Sequence, residues 1–500
     1  MALAALPLFS NPPCHCSSSI TTFLPSHSRH LPTQPFISPL TKSQPPNSNY
    51  FLSQSRPSTH CRCTSHTPNL DFQYVRLVTL FQEIGISFEK TNLLLSNASE
   101  LTSIQLDLLR DRILSLKSLG LGRMSINHIV IKQLNMLTSN EIDPLLNFLR
   151  NELQGQVEKA KVKRLLSANE PKELSDFLQK VQLLIDSGIG VDKIAHVLNR
   201  VSLSKAICHR SMEEIERVIS FLKPFGGVDL IVKRPSTLNY DLDSQLKPRI
   251  RVLTELSGGD EDSVGKVLNK YPKILNFRAE RLEEHIEFLR SFAELDDQQI
   301  FKIVLVYPAI FSNSRERKLR PRIQFLKDCG LDSSADIFKF FIKAPVFLGL
   351  SFRNNLAYKL VFLVKIGYEY RTKELAMAIA ASTRISCANM QKMVSVYLNY
   401  GLSSEDIFAM SKKHPPTLQC DHASLEKKIK YLTEEMDRDI QELLDFPAFL
   451  GYKLDDRIKY RYEIKKDSCE GQMSVKKLLT VSNKNFAARL KKASVKSKLE

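Results

Sequence analysis

Positively charged side chains recur along this 500-residue sequence at one fixed place in a repeating helical phrase. The phrase reads apolar, three residues, apolar, one residue, apolar, apolar. Its clearest copies are Leu246/Ile250/Val252/Leu253, Leu282/Ile286/Phe288/Leu289, Leu319/Ile323/Phe325/Leu326, Leu356/Leu360/Phe362/Leu363 and Leu425/Ile429/Tyr431/Leu432. The residue just before the second apolar position is Arg112, Lys180, Arg249, Arg322, Lys359, Lys428 or Arg457 in seven of twelve copies, and His285 in an eighth. A cation at a regular interval suits the tracking of a phosphate backbone. Arg251, two residues beyond Arg249, would widen such a path, as would Lys247, Arg317, Lys318, Lys427 and Lys430. At about 100° per residue the column falls within the apolar stripe, so each stem can be buried while its charge reaches the rim of the packing. The competing structural reading pairs each head with an acid of the adjacent unit, Glu255, Glu294 and Asp328 being candidates.

Catalytic chemistry finds little support. The sequence has no Walker A loop, no GxGxxG, no HExxH and no CxxC pair, and its histidines are dispersed, so neither a catalytic residue nor a cofactor is assigned. Cys14, Cys16, Cys61 and Cys63 form two CxC pairs, but no second ligand pair follows at zinc-finger spacing, and no metal site is assigned. Cys208, Cys329, Cys387, Cys420 and Cys469 are scattered and read as reduced thiols. A surplus of 71 Lys+Arg over 54 Asp+Glu gives a net charge of +17 and favours an anionic partner. No apolar run reaches the roughly 18 residues that a membrane span needs.

The elements that position these cations follow from the period. A phrase returning every 29 to 38 residues marks a stacked array in which each unit buries its stripe against its neighbours. Each full unit opens with an apolar helical stretch that runs into a proline, at Pro235, Pro272, Pro308, Pro345, Pro415 and Pro447. Proline lacks the amide hydrogen and disfavours helix in the residue before it, so the first helix is expected to stop there. A short hydrophobic step follows, then the second helix carrying the phrase. Glycines after that helix, at Gly85, Gly120, Gly188, Gly226, Gly330, Gly367 and Gly401, suit left-handed caps, and Ser333 to Asp336 and Ser403 to Asp406 suit capping boxes for the next unit.

Four regions are expected. Residues 1–65 contain no acid, since Asp71 is the first, and are rich in Ser, Thr and Pro; they read as a transit peptide, of plastid rather than mitochondrial type because no basic residue precedes Arg29. Residues 70–170 repeat the period without the proline and are expected to form irregular helical repeats or a cap. Residues 171–465 are the regular array, and 466–500 read as a basic C-terminal tail.

Helix, proline, hydrophobic step and second helix, with the closing stretch Phe446-Pro447-Ala448-Phe449-Leu450-Gly451-Tyr452-Lys453-Leu454-Asp455-Asp456-Arg457, resemble the mTERF (mitochondrial transcription termination factor) family of plant organelles. The resemblance covers about residues 170 to 465 and implies an all-α fold, a right-handed or half-ring α-solenoid of stacked helical pairs with proline at the helix junction. It further implies a basic groove for double-stranded DNA or RNA and a role in chloroplast transcription regulation, termination or RNA processing, with a plastid transcription or nucleoid complex as partner. The alternatives are a protein-binding helical scaffold of the same machinery and a mitochondrial member of the family. Thr383 stands where a fifth proline is expected, Tyr460 where the closing motif has proline, and Met393 in the basic column, all departures from the pattern.

Overall fold

The computed structural model describes residues 68–96, 103–466 and 474–486. The expected transit peptide, its four cysteines and most of the basic tail lie outside them. Among the described residues every regular element is helical, and the fold is an all-α solenoid. No helix among them is long and apolar enough to cross a membrane.

One unit shows how the sequence dictates the rest. Asp260 caps the first helix, Glu261–Lys270, by accepting from the Ser263 amide. Val264, Val267 and Leu268 form its buried stripe. Tyr271, held before Pro272, sits at φ −142 and ψ 71, outside the helical region. The chain then makes one tight turn, Pro272–Asn276, which buries Ile274 and Leu275, and enters the second helix, Ala279–Ala293. The same break recurs before every proline named above: Arg234, Tyr307, Ala344, His414 and Phe446 have φ between −131 and −144. Gln133, which no proline follows, adopts φ −146 and ψ 62, so the early repeat keeps the geometry without the residue that enforces it elsewhere. No such break ends the helix Lys373–Ser382: Ser382 is still helical, and Thr383 after it stays in the helical region at φ −63 and ψ −25.

Several second helices open through a wider π turn that the periodicity did not reveal. The amides of Leu246 and Leu319 bond the carbonyls five residues back, of Asp241 and Ser314. Pro248 and Pro321 follow two residues later; neither can donate, and each ring crowds the carbonyl four residues before it, which the wider turn relieves. Phe352–Leu356 opens the same way without a proline.

Successive first helices pack on one another, as do the second helices Lys247–Leu256 and Ala279–Ala293. Their stripes form one apolar core running from Leu77 to Leu479. All seven glycines expected as caps have positive φ. Glu294 fills the corresponding place after the helix Ala279–Ala293 at φ 55. Within the expected basic tail, Val475–Thr480 is a helix with Val475, Leu478 and Leu479 buried.

Gly226 combines φ +115 with a close neighbour, since a Cβ there would lie 2.2 Å from Nδ2 of Asn269. Gly226→Ala is therefore expected to destabilise the fold by about 1 to 3 kcal/mol, read as a lower urea midpoint at unchanged slope. Gly155→Ala, with positive φ but no atom within 4 Å, is expected to cost less.

Candidate nucleic-acid interface

Column residues are buried, except that Lys428 and Arg457 are half-buried, and their heads are engaged by the protein itself. Arg249 donates from Nη1 to the Leu275 carbonyl at 3.0 Å, and Lys428 from Nζ to Leu450 O at 2.7 Å. Arg322 donates to the carbonyls of Leu348 and Leu350, and Arg112 to Leu137 O at 2.7 Å. Each acceptor belongs to the next unit. In all four cases it includes the fourth residue of that unit's short step, as in Pro272–Asn276 or Leu134–Thr138. Carbonyls at the end of a short helical turn have no intrahelical donor and carry partial negative charge, so a cation is their natural partner.

The remaining members follow the same logic. Lys180 reaches Cys208 O at 3.4 Å, Lys359 reaches Ile385 O at 2.7 Å, and Arg457 reaches Leu479 O at 2.7 Å and Val481 O at 3.1 Å. His285 bridges units through Nε2 and Asn313 O at 2.9 Å. Burial holds Arg249, Arg322, Lys359 and Lys428 below their ordinary pKa values, and it pushes the Cys208 thiol up to about 12, leaving it unreactive at neutral pH. Aromatic faces complete two of the sites: the guanidinium of Arg249 lies 4.2 Å from the ring centroid of Tyr240, and that of Arg457 4.7 Å from Tyr452.

Carboxylates play little part in this ladder. Asp143 pairs with Arg112, whereas the acids considered as partners are used elsewhere: Glu255 by Arg251, Glu294 by Lys327 and Asp328 by Arg371. Met393 occupies the column without a charge and is fully buried; one turn earlier, Asn389 donates to Cys420 O at 3.1 Å in its place. Arg461, one turn after Arg457, was not anticipated. It is buried and donates to Leu478 O at 2.9 Å and Val481 O at 2.8 Å.

The structure thus brings the column together as a ladder inside the stack, and Arg251 alone of the nine candidates is widely exposed. Of the other exposed cations at the second helices, Lys247 is matched by Asp243, Arg320 by Glu316 and Lys430 by Glu434, while Arg317, Lys318, Arg353 and Lys427 are in no ion pair among the described residues.

A second row answers better to an anion. The last residue of the first helix, two before the proline or its equivalent, is Lys132, Arg200, Lys233, Lys270, Lys343 or Lys413 in six units. All six are exposed, and among the described residues none is in an ion pair with a carboxylate. Lys270 donates to Leu305 O at 3.0 Å and Val306 O at 2.6 Å, and Lys413 to Leu444 O at 2.7 Å, each capping the first helix of the next unit. Lys233 bonds Oδ1 of Asn269 at 2.9 Å. An ammonium carries three donors, so these bonds fix the head and leave capacity for a phosphate. Ala168, Val306, Ser382 and Asp445 hold this position in other units and interrupt the row. The lysines two before Pro235, Pro272, Pro345 and Pro415 are plain in the sequence, but they stand outside the apolar phrase that defines the period.

Comparison with known proteins agrees with this architecture. A family model described as mTERF matches residues 53–257, 211–366 and 332–487. The chain is 47% identical over 484 residues to the chloroplastic transcription termination factor MTERF8 of Arabidopsis thaliana, covering 94% of this chain and 96% of that protein. It is 26% identical over 268 residues to the mitochondrial transcription termination factor MTEF18 of the same plant, covering 52% of this chain and 44% of that one.

Because Met393 shows that the buried column accepts an uncharged side chain of similar length, Lys359→Met is expected to cost about 1 to 2 kcal/mol, the Ile385 carbonyl losing its donor. Lys359→Glu buries an unpaired anion facing that carbonyl and is expected to cost about 3 to 5 kcal/mol. Chemical denaturation of the two variants beside the wild type measures the difference.

Proposed function

This chain belongs to the mTERF family, and from that premise we propose that it is a chloroplast protein that binds double-stranded DNA or RNA through phosphates and acts in plastid gene expression. Membership gives it an organellar, transcription-related nucleic-acid function. The relative named as a chloroplastic transcription termination factor supports the plastid assignment and a role in transcription regulation or termination. The mode of action is binding rather than chemistry.

The observation that carries the reading is the exposed row of Lys132, Arg200, Lys233, Lys270, Lys343 and Lys413, one cation in each of six units with no acid spent on it. Repetition matters because a nucleic acid offers phosphates at a regular interval, and each neutralised phosphate releases condensed counterions. Arg251 adds to the path from the second helix. Arg112, Lys180, Arg249, Arg322, Lys359, Lys428 and Arg457, with His285 among them, enter this reading through the field of their charges and through the order they impose on the row, their heads being turned to carbonyls.

With about six phosphates neutralised on a duplex, log K is expected to fall with log salt at a slope near −5. Replacing Lys233, Lys270, Lys343 and Lys413 together by Gln is expected to flatten that slope by about 3 to 4, roughly 0.9 for each phosphate left without its cation, with the circular dichroism unchanged. Titration of duplex DNA and RNA at several salt concentrations decides it; a folded quadruple variant with undiminished affinity and slope would refute the proposal.

A further inference from the structure

The unit around Lys359 differs from its neighbours on the surface. Counted from the column residue, the positions occupied by Gln324 and Lys327 in the preceding unit, and by Lys430 and Thr433 beside Lys428, are here Val361 and Val364. Phe352, Tyr358 and Val361 are 62%, 47% and 54% exposed. Stacking does not require an apolar residue at the place of Val361, since Gln324, Ser395 and Lys430 stand there in the neighbouring units, whereas Leu398 repeats the apolar choice of Val364 one unit on, and exposing such side chains to water is unfavourable.

This face runs into a cleft of about 970 Å³ between the helices Arg320–Asp328 and Ala357–Lys365. Phe325, Phe347, Leu350, Phe352, Leu360 and Tyr370 supply its apolar wall. Arg317, Lys318 and Arg353 stand at its rim, exposed, and none of the three is in an ion pair among the described residues. The one carboxylate in the lining, that of Asp328, lies 3.6 Å from Arg371.

We propose that this cleft and the adjoining face of the helix Ala357–Lys365 dock an acidic amphipathic helix of a partner protein. The apolar side chains of such a helix, spaced i, i+3 or i+4, i+7, would fill the cleft and cover Val361 and Val364, while its carboxylates meet Arg317, Lys318 and Arg353. A second copy of this chain is a poor occupant, because it would bring like-charged rims together on a protein of net charge +17. A nucleic-acid strand would satisfy the cations, but it would set its phosphates and sugars against the aliphatic surface of Leu350, Leu360, Val361 and Val364, which offers them no hydrogen bond.

The test uses the full chain and a fluorescein-labelled acidic peptide with Leu and Phe at helical spacing and Glu between them, against a scrambled peptide of identical composition. Fluorescence anisotropy is expected to show saturable binding of the patterned peptide at least tenfold tighter than of the scrambled one. The variant V361Q/V364K carries the residues of the preceding unit and so should keep its fold; it is expected to weaken that binding at least tenfold while leaving duplex affinity unchanged. R317E/R353E is expected to weaken it comparably and to favour a peptide with Lys in place of Glu. Equal binding of the scrambled peptide, no saturable binding, or indifference to V361Q/V364K overturns the proposal. Displacement of the peptide by an oligothymidylate, together with loss of oligothymidylate binding in V361Q/V364K, also overturns it and gives the cleft to a nucleic-acid strand.

Discussion

Where a unit has a short step, the carbonyls at the end of that step are left without intrahelical donors, and in at least four units this unmet acceptor organises the stacking. The nearest donor lies in the second helix of the preceding unit, one residue before an apolar anchor. A long side chain from that position passes through the packing and presents its charge to the carbonyl, as Arg249 does to Leu275 and Lys428 to Leu450. Burying a cation is unfavourable unless it is hydrogen-bonded, and leaving a buried carbonyl unmatched is unfavourable too. Each cost is offset by the other only when the two units are in register. The ladder therefore fixes how one unit sits on the next in a way that apolar stripes, which are tolerant of sliding, do not.

Register in turn places the surface. Because the first helices stop at a fixed point before each step, their last residues fall at equivalent positions in successive units, and a lysine there becomes a member of a row. Proline makes the stopping point explicit at six places, and the conformation of Gln133 shows that stacking alone can impose it. The exposed lysines also bond carbonyls of the following unit, Lys270 to Leu305 and Val306, so the row and the stack are held by the same kind of bond.

Much of this was legible in the sequence. The period, the proline break, the glycine caps and the burial of the phrase all follow from local rules about amide hydrogens, backbone angles and apolar spacing. The angular position of Arg249 or Lys359 also placed each stem correctly within the stripe. What could not be read was the acceptor. A cation at the edge of a stripe can reach a phosphate, a carboxylate or a carbonyl, and the choice depends on which backbone group of a unit some 26 residues ahead, as for Leu275, has been left without a donor. The π turns before Leu246 and Leu319 and the packing of Val475–Thr480 escaped for the same reason, being set by neighbours rather than by local pattern.

Thr383 shows where that pattern of coupling is thinnest. The helix Lys373–Ser382 does not break into a step, Met393 brings no charge, and a neutral bond from Asn389 to Cys420 replaces the cation. In a linear array each unit is supported only by its two neighbours, so cooperativity passes through the interfaces in series and is limited by the weakest of them. The interface between the helix Cys387–Asn399 and the unit after it thus goes without the buried cation that Lys359 and Lys428 supply on either side of it, and register there rests on packing and neutral hydrogen bonds.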